Sequence, residues 1–395
     1  MWRPQSNVVV LAGCQALYQA TAAIALTVGG LVGQVLAPDK AYATVPLALV
    51  TVMMATVTVP AALIMARRGR RAGFALGSIA GAIGGTFSAY AIFVRSFGLF
   101  CLGMALLGAY QAFGQYHRFA AADAVPKENK SQAISYVLLG GLVAALAGPM
   151  LASWARALFS SVPFAGSYFA VGVLAVLYCA LVRLLQIAPL KASDFARPPQ
   201  PLRRLVMYRP FLVAVTLGAV AQAAMMFVMT ATPLAVIGCG LSVLATATII
   251  QWHLVGMFAP SFVTGTLIKR FGVECVSLAG ALLMFASVFI ALDGITYTHF
   301  LVALTVQGVG WNFMFVGSTS LITTSYEPQD QLRVQGVYQF LSFGVVTVAA
   351  SLSGLVFDRF GWDILNYLVI PFALVAVAVA AWNAAFPSKT SAKTA

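Results

Sequence analysis

The sequence has few charged residues, and acidic residues are the scarcest among them. Of 395 residues, 10 are Asp or Glu and 23 are Lys or Arg, so that 8% of the chain is charged. Soluble domains carry about 25% charged residues. With 61% hydrophobic residues and a mean hydropathy of +0.93, the chain has too little polar surface to fold in water. This composition excludes a soluble enzyme, a disordered protein and a disulfide scaffold.

The chain also lacks paired cysteines, and it lacks carboxylates within its apolar stretches. The five cysteines are odd in number and form no CxxC pair, which argues against a disulfide framework or a zinc site. The acidic residues fall between the apolar stretches or at their ends. A carboxylate proton relay or a carboxylate site for a hard cation is therefore not expected.

The chain does contain a series of long, continuous apolar stretches. Their residues do not alternate with polar ones, which argues against an outer-membrane barrel. Twelve stretches are long enough to cross a bilayer as helices. They lie near residues 7–36, 44–66, 72–95, 98–122, 131–155, 166–188, 210–236, 244–268, 273–292, 298–325, 334–357 and 364–386. The sequence therefore predicts an all-α membrane protein with twelve transmembrane helices.

The basic residues predict the orientation of these helices. If both termini are cytoplasmic, seventeen of the 23 Lys and Arg residues fall on the cytoplasmic face, with clusters at 66–71 and 203–209. Four fall on the opposite face. Cytoplasmic loops of membrane proteins are enriched in Lys and Arg, so we expect a bacterial inner-membrane protein with both termini inside. The net charge of +13 is explained by this topology, and binding to nucleic acid is not expected.

A polar segment at residues 189–209 divides the chain. It is basic and proline-rich, and it predicts an N-terminal six-helix bundle (1–188), a cytoplasmic linker (189–209) and a C-terminal six-helix bundle (210–395). Two six-helix halves are typical of transporters built from repeats. In the third stretch, glycine at every fourth position from 73 to 85 predicts a smooth face for sliding or for plain helix packing.

Short glycine- and arginine-containing motifs follow three of the helices. They read ARRGRR (66–71), KRFG (269–272) and DRFG (358–361), the first two at equivalent places in the two halves. Here the chain resembles the major facilitator superfamily, whose signature is Gly-x-x-x-Asp-Arg-x-Gly-Arg-Arg. The resemblance implies the major facilitator fold. The first two copies have Ala66 and Lys269 in place of the signature acid, which argues against the usual cytoplasmic charge relay.

Two consecutive helices carry soft, neutral metal ligands. Met225 and Met229 are four residues apart, as are His253 and Met257, so each pair shares one helix face. From a turn near residue 241, Met229 and His253 are twelve residues away, and Met225 and Met257 sixteen. At 1.5 Å per residue the pairs lie roughly 18 and 24 Å from the turn. Thioethers with an imidazole suit Cu(I). The alternative to metal binding is that the methionines only fill helix interfaces and that the histidine is bonded to a neighbouring helix.

These MxxxM and HxxxM motifs resemble those of the CcoA-type copper importers, bacterial members of the major facilitator superfamily. The resemblance implies that Met225, Met229, His253 and Met257 bind copper during transport, and that the copper supplies assembly of cbb3-type cytochrome oxidase. We predict a monomeric carrier, not an enzyme, that needs no cofactor and imports copper as its substrate by alternating access. A cytoplasmic copper chaperone is the predicted acceptor.

Three further residues are predicted to have accessory roles. Cys239 lies at the outer turn above the four ligands, where it either hands copper inward or packs. His117 and Arg118, toward the cytoplasmic end of the fourth helix, are candidates for an inner gate or an exit step.

Two other functions remain open at this point. A carrier of a small organic solute or drug would be inhibited by organic compounds and would not depend on His253. A membrane sensor or assembly scaffold would show no net flux and would bind a partner through residues 189–209.

Overall fold

The structure is a computed structural model that describes residues 6–39, 42–156, 158–159, 162, 164–187 and 200–386. Apart from turns and short 3₁₀ segments at Tyr42 and Lys127–Asn129, the regular structure of these residues is α-helical. The helices are α1 (Ser6–Leu36), α2 (Val45–Arg68), α3 (Arg70–Phe93), α4 (Phe97–Gly114), α5 (His117–Asp123), α6 (Lys130–Arg156), α7 (Ala165–Val182), α8 (Leu202–Val206), α9 (Arg209–Gly238), α10 (Val243–Phe258), α11 (Ser261–Leu292), α12 (Tyr297–Ser325) and α13 (Pro328–Ala385).

The described residues contain ten helical segments that are long and apolar enough to cross a membrane. The chain is therefore an all-helical, multi-pass membrane protein. Two of the ten segments are unusually long, at 49 residues (Leu244–Leu292) and 57 residues (Gln329–Ala385). The number of candidate spans is thus ten to twelve, and the count of twelve stays a prediction.

Glycines with positive φ interrupt the long helices. Gly272 in α11 has φ 85° and ψ 156°, and Gly361 in α13 has φ 77° and ψ −172°. Gly69, between α2 and α3, has φ 84° and ψ 161°. Residues with a Cβ rarely adopt this conformation, whereas glycine adopts it readily. These glycines come from the three copies of the sequence motif, so the repeated motif specifies the same backbone break in three places.

The helices group into two compact units. The first comprises the described parts of Met1–Ala124 and Val137–Arg197, and the second Val125–Tyr136 with the described part of Pro198–Ala395. The predicted boundaries at residues 188 and 210 stay a prediction, because residues 188–199, with most of the predicted linker, lie outside the described residues. The end of that linker is not a loop but forms the short helix α8.

In the first unit, α3 packs closely on α4 and α7 along the predicted glycine stripe. A Cβ added at Gly77 would lie 2.6 Å from Phe113 of α4, and one at Gly85 would lie 2.5 Å from the backbone of Gly172 in α7. Small residues permit such close approach between membrane helices. In this structure the stripe is a tightly packed interface.

The motif after α2 contains a buried ion pair. Arg70 lies at the start of α3 and is 6% exposed, and its Nη2 lies 2.6 Å from Oδ2 of Asp123 at the end of α5. Although the signature acid is replaced by Ala66, an arginine of the motif thus pairs with a carboxylate from a later part of the chain.

The second unit is organised around α12. Helices α9, α10 and α11 all pack on it, and α9 and α11 also pack on α13. Along α12, the residues from Gln307 to Thr323 are almost continuously buried. This arrangement places α12 behind both helices that carry the predicted copper ligands.

Candidate functional site

The predicted hairpin between the seventh and eighth stretches is present as α9 and α10. Helix α9 ends at Gly238, and α10 begins at Val243. Gly240 turns the chain with φ 78°, and the Ser242 hydroxyl caps α10 by accepting a hydrogen bond from the Ala245 backbone N–H at 3.1 Å. Cys239 lies in this turn and is partly buried. The turn position used to place the four ligands is therefore correct.

His253 is fully buried on α10 and is bonded to α12. Its Nδ1 lies 2.8 Å from the carbonyl oxygen of Leu304. A carbonyl oxygen only accepts hydrogen bonds, so Nδ1 carries the proton, and Nε2 of the neutral ring is left with a lone pair. Nε2 is buried and has no hydrogen-bond partner among the residues that the structure describes. The side chain is thus fixed through one nitrogen and presents the other as an unused acceptor.

Glycines let α10 and α12 approach closely next to this histidine. A Cβ at Gly308 would lie 2.5 Å from the His253 carbonyl oxygen, and one at Gly256 would lie 2.5 Å from the Thr305 carbonyl oxygen. Reciprocal glycines of this kind bring two helix backbones into contact. The position of His253 is therefore determined by its packing on α12.

Asn312 joins the same two helices and the start of α11. Its Nδ2 donates to the carbonyl oxygen of Met257 and to Oγ of Ser261, both at 2.7 Å. Its Oδ1 accepts from Oγ1 of Thr264 at 2.7 Å. Met257 is itself buried, with 6% exposure. This network fixes the backbone that carries the second residue of the predicted HxxxM pair.

The two methionines on α9 lie in a different environment. Met225 and Met229 are partly buried, and α9 is linked to α12 through its neighbouring residues. Nε1 of Trp311 donates to Oε1 of Gln222 at 2.6 Å. The structure thus holds His253 and Met257 against α12 and leaves the two methionines partly exposed on α9. Joint binding of copper by the four residues stays a prediction.

Aromatic rings surround this part of α12. Trp311 stacks on Phe315 with the ring centroids 4.4 Å apart and an interplanar angle of 18°. Phe258 of α10 meets Trp311 edge to face at 6.0 Å. Together with Gln222, Gln307 and Asn312, these rings form a buried cluster that combines apolar rings with hydrogen-bonding groups.

An apolar pocket lies in the second unit between α9 and the two parts of α13. Its lining includes Phe227 and Ala224 of α9, and Val345, Leu352 and Phe372 of α13. Ala224 also belongs to the contact with α12, because its carbonyl oxygen lies 3.4 Å from Nε2 of Gln307.

His117 and Arg118 lie in the first unit, where the predicted fourth span is interrupted. Helix α4 ends at Gly114 and α5 begins at His117. Nδ1 of His117 donates to Oε1 of Gln15 at 2.9 Å, and Nε2 accepts from the Tyr178 hydroxyl at 2.6 Å. Both ring nitrogens are therefore engaged, and neither is open to a metal ion in this structure.

Arg118 belongs to the same buried network. Its Nη1 donates to Oε1 of Gln115 at 3.2 Å, and its guanidinium lies 4.8 Å from the Phe119 ring centroid. Nε2 of Gln115 in turn donates to the Tyr18 hydroxyl at 2.6 Å. In this structure His117 and Arg118 are core residues that connect α1, α5 and α7, and their role as a gate stays a prediction. The same holds for Cys239 as an accessory residue.

Comparison with known proteins identifies the family and several relatives. A family model described as Major Facilitator Superfamily matches residues 11–292 and 240–394. The riboflavin transporter RfnT of Brucella anthropi is 41% identical over 374 residues, which cover 94% of each chain. An uncharacterized MFS-type transporter of Bacillus subtilis, YdeG, is 25% identical and covers 91% of this chain and 88% of its own.

Solved structures share the fold at low sequence identity. The Escherichia coli fucose:proton symporter FucP superimposes with a TM-score of 0.76 at 15% identity, over 95% of this chain and 98% of its own. A bacterial homologue of the iron transporter ferroportin gives a TM-score of 0.75 at 13% identity, over 96% and 100%. At this identity the similarity concerns the fold alone.

These relatives support a transporter and not an enzyme, and they give no support to copper as its substrate. The CcoA-type resemblance is not confirmed, because the relative with 41% identity is named for riboflavin. Methionine at helical spacing also serves in packing. In the structure the His253 side chain and the Met257 backbone contact α12.

Proposed function

The chain belongs to the major facilitator superfamily, and from this premise we propose that it is a secondary transporter that takes up riboflavin across a bacterial inner membrane. The observation that carries the proposal is the 41% identity with a riboflavin transporter over 94% of both chains. The proposal agrees with the organic-solute alternative that the sequence left open.

The chemistry of the second unit supports a substrate of this class. Riboflavin has a flat tricyclic ring, an imide N–H and a chain of hydroxyl groups. The second unit contains stacked aromatic rings at Trp311 and Phe315, with buried amide and imidazole groups next to them. Binding sites for organic molecules commonly combine mostly apolar walls with a few polar groups.

We further propose twelve membrane spans with both termini in the cytoplasm. A 57-residue helix would be roughly 85 Å long and a 49-residue helix roughly 73 Å, at 1.5 Å per residue. Both exceed twice the bilayer's hydrocarbon core of about 30 Å. Each must reverse direction, and Gly272 and Gly361 are the non-helical positions where it does so. Ten segments then become twelve spans.

The topology can be tested by cysteine labelling in a background without native cysteines. Asp358 and Arg270 are both exposed. We expect Asp358→Cys to react with a membrane-impermeant maleimide in intact cells, and Arg270→Cys to react only after permeabilisation. Labelling of both positions from the same side would contradict the proposed topology.

Riboflavin uptake tests the function directly. The chain is expressed in a bacterial strain that cannot synthesise riboflavin and has no importer of its own. We expect growth on low riboflavin and saturable uptake of radiolabelled riboflavin, with RfnT as positive control and the empty vector as negative control. A protein that reaches the membrane but gives uptake equal to the empty vector would refute the proposal.

Copper import is the second candidate function, and the observation that favours it is the unused Nε2 of His253. A metal-binding histidine typically donates its other ring N–H to a carbonyl oxygen or carboxylate, as Nδ1 does here. Import of Cu(I) predicts copper accumulation that is lost in Met225→Leu and His253→Leu at normal expression. Unchanged accumulation in these variants would exclude this copper site.

The membrane potential distinguishes Cu(I) import from uptake of riboflavin without a coupled ion. Moving one elementary charge across 100 mV changes the free energy by about 2.3 kcal/mol. Cu(I) import alone is therefore expected to fall strongly when valinomycin and potassium abolish the potential. Uptake of neutral riboflavin without a coupled ion is expected to stay the same.

A further inference from the structure

Two buried hydrogen-bond acceptors on α10 and α12 have no partner among the residues that the structure describes. They are Nε2 of His253 and Oε1 of Gln307. Both residues are at most 2% exposed. Each uses its donor elsewhere, His253 through Nδ1 to Leu304 at 2.8 Å and Gln307 through Nε2 to Ala224 at 3.4 Å. Each side chain is therefore held in place by the hydrogen bond of its donor, and its acceptor is left without a partner among the described residues.

The two residues lie beside each other in the helix packing. Leu304, which holds His253, and Gln307 are three residues apart on α12 and so share one helix face. Gly308, next to Gln307, packs directly on the His253 backbone. The contact of Gln307 with Ala224 places this side chain between α12 and α9. Both acceptors thus belong to the region where α9, α10 and α12 meet.

Other buried polar groups in this region are satisfied. Asn312 makes three hydrogen bonds, and Gln222 accepts from the Trp311 indole. Unpaired acceptors are unfavourable inside a membrane, where no bulk water replaces the missing partner. Polar groups inside membrane segments are commonly functional. Two acceptors together, with no donor offered to either, call for donors from a bound molecule.

We propose that His253 Nε2 and Gln307 Oε1 form an acceptor pair that receives N–H or O–H donors of the transported solute. The inference rests on the proposed riboflavin transport and extends it to a binding contact. In riboflavin the available donors are the imide N–H and the ribityl hydroxyls. An acceptor pair selects a solute with donors over an otherwise similar molecule that lacks them.

Two substitutions of His253 test the roles of its two ring nitrogens separately. Asn in its place keeps an N–H near the position of Nδ1, so that the bond to Leu304 is retained, and removes the acceptor at Nε2. Gln in its place keeps an amide group that reaches the position of Nε2. Gln307→Met removes the other acceptor at similar length. Thermal unfolding of each purified variant verifies that it is folded.

Uptake kinetics with riboflavin give the first readout. We expect His253→Asn and Gln307→Met each to raise the half-saturating concentration about tenfold, the usual effect of losing one hydrogen bond to a ligand. His253→Gln is expected to stay within about threefold of wild type. Folded His253→Asn and Gln307→Met variants with wild-type kinetics would overturn the acceptor pair. Loss of uptake in His253→Gln equal to that in His253→Asn would overturn it as well.

Substrate analogues give a second readout that does not depend on the folding of variants. Unlabelled 3-methylriboflavin lacks the imide N–H, and lumiflavin lacks the ribityl hydroxyls. We expect one of the two analogues to compete about tenfold more weakly than riboflavin for uptake by the wild-type protein. The group that the weaker analogue lacks is then the donor to the acceptor pair. The difference should disappear in His253→Asn or Gln307→Met. Equal competition by all three flavins would overturn the inference, whereas absence of any riboflavin uptake by wild type would refute the proposed function itself.

Discussion

Replacing Asn312 by leucine tests whether hydrogen bonds between helices hold α10 in position. Leucine has a similar volume but removes the bonds to Met257, Ser261 and Thr264. Asn312 is fully buried, so no water replaces these partners. Because Met257 lies on α10 and Ser261 and Thr264 lie on α11, the substitution loosens the part of the second unit that carries His253.

The expected size of the effect follows from the number of bonds lost. Hydrogen bonds between membrane helices contribute about 0.6 kcal/mol each on average, so three bonds amount to about 2 kcal/mol of the free energy of unfolding. In folded units of 150–250 residues, about 1 kcal/mol shifts the midpoint of thermal unfolding by roughly 2–4 °C. Asn312→Leu is therefore expected to lower the midpoint by roughly 4–8 °C.

Asn366 provides a matched control. It is also buried, at 1% exposure, but its Nδ2 donates within its own helix, to the Trp362 carbonyl oxygen at 2.9 Å. Asn366→Leu loses this one bond and is expected to shift the midpoint by roughly 1–2 °C. The measurement is scanning fluorimetry of both variants, purified in the same detergent. Equal shifts for the two substitutions would refute the reasoning from inter-helix hydrogen bonds.

Two other substitutions test local features of the fold. Asp123→Asn removes the charge that pairs with Arg70 at 2.6 Å. Because Arg70 is buried, we expect the free energy of unfolding to fall by about 1.5–3 kcal/mol. The double substitution Arg70→Asp with Asp123→Arg should recover part of this loss, and unchanged stability of Asp123→Asn would contradict a role of the pair. Gly361→Ala introduces a Cβ at φ 77° and ψ −172° with no atom within 4 Å. This region is essentially restricted to glycine, so the expected cost of about 1–3 kcal/mol comes from the backbone alone. Gly344→Ala, equally uncrowded but in regular helix, should instead stabilise by about 0.5–1 kcal/mol. Chemical unfolding of the three variants measures these changes in stability. Equal effects of the two glycine substitutions would contradict the conformational argument.

Much of the helical architecture could be predicted from the sequence. The long apolar stretches predicted the helices, because in a membrane the backbone has to satisfy its own hydrogen bonds. The turn between α9 and α10 was correctly placed near residue 241, where Gly240 and Ser242 are typical of a helix end and a helix start. The interruption after Gly114 was not predicted, since no charge or proline marks it.

The candidate site was only partly predictable. His253 was singled out from the sequence as a metal ligand, with a bond to a neighbouring helix as the alternative, but its partner, the Leu304 carbonyl oxygen, is 51 residues away and could not be named. Gln307 was not singled out from the sequence. No periodicity in the sequence distinguishes an amide with a free acceptor from Asn312, whose groups are all bonded.

The copper interpretation stays a prediction, because it depends on which helices meet, and the order of helices along the chain does not determine this. It assumed that residues at matched depth in a hairpin face each other. In the structure α10 instead packs closely on α12 through Gly256 and Gly308, and the methionines of α9 remain partly exposed. Which helices meet depends on how the small residues of distant segments fit together.

Composition and local backbone preference, which act within a few residues, establish that this protein is helical and crosses a membrane many times. They also explain why the motif glycines break the helices. The pairing of Asp123 with Arg70, the packing of α10 on α12 and the two acceptors without a partner among the described residues depend on tertiary structure. Such relations join residues far apart in the chain, and close packing and the need to satisfy buried polar groups select them when the helices assemble.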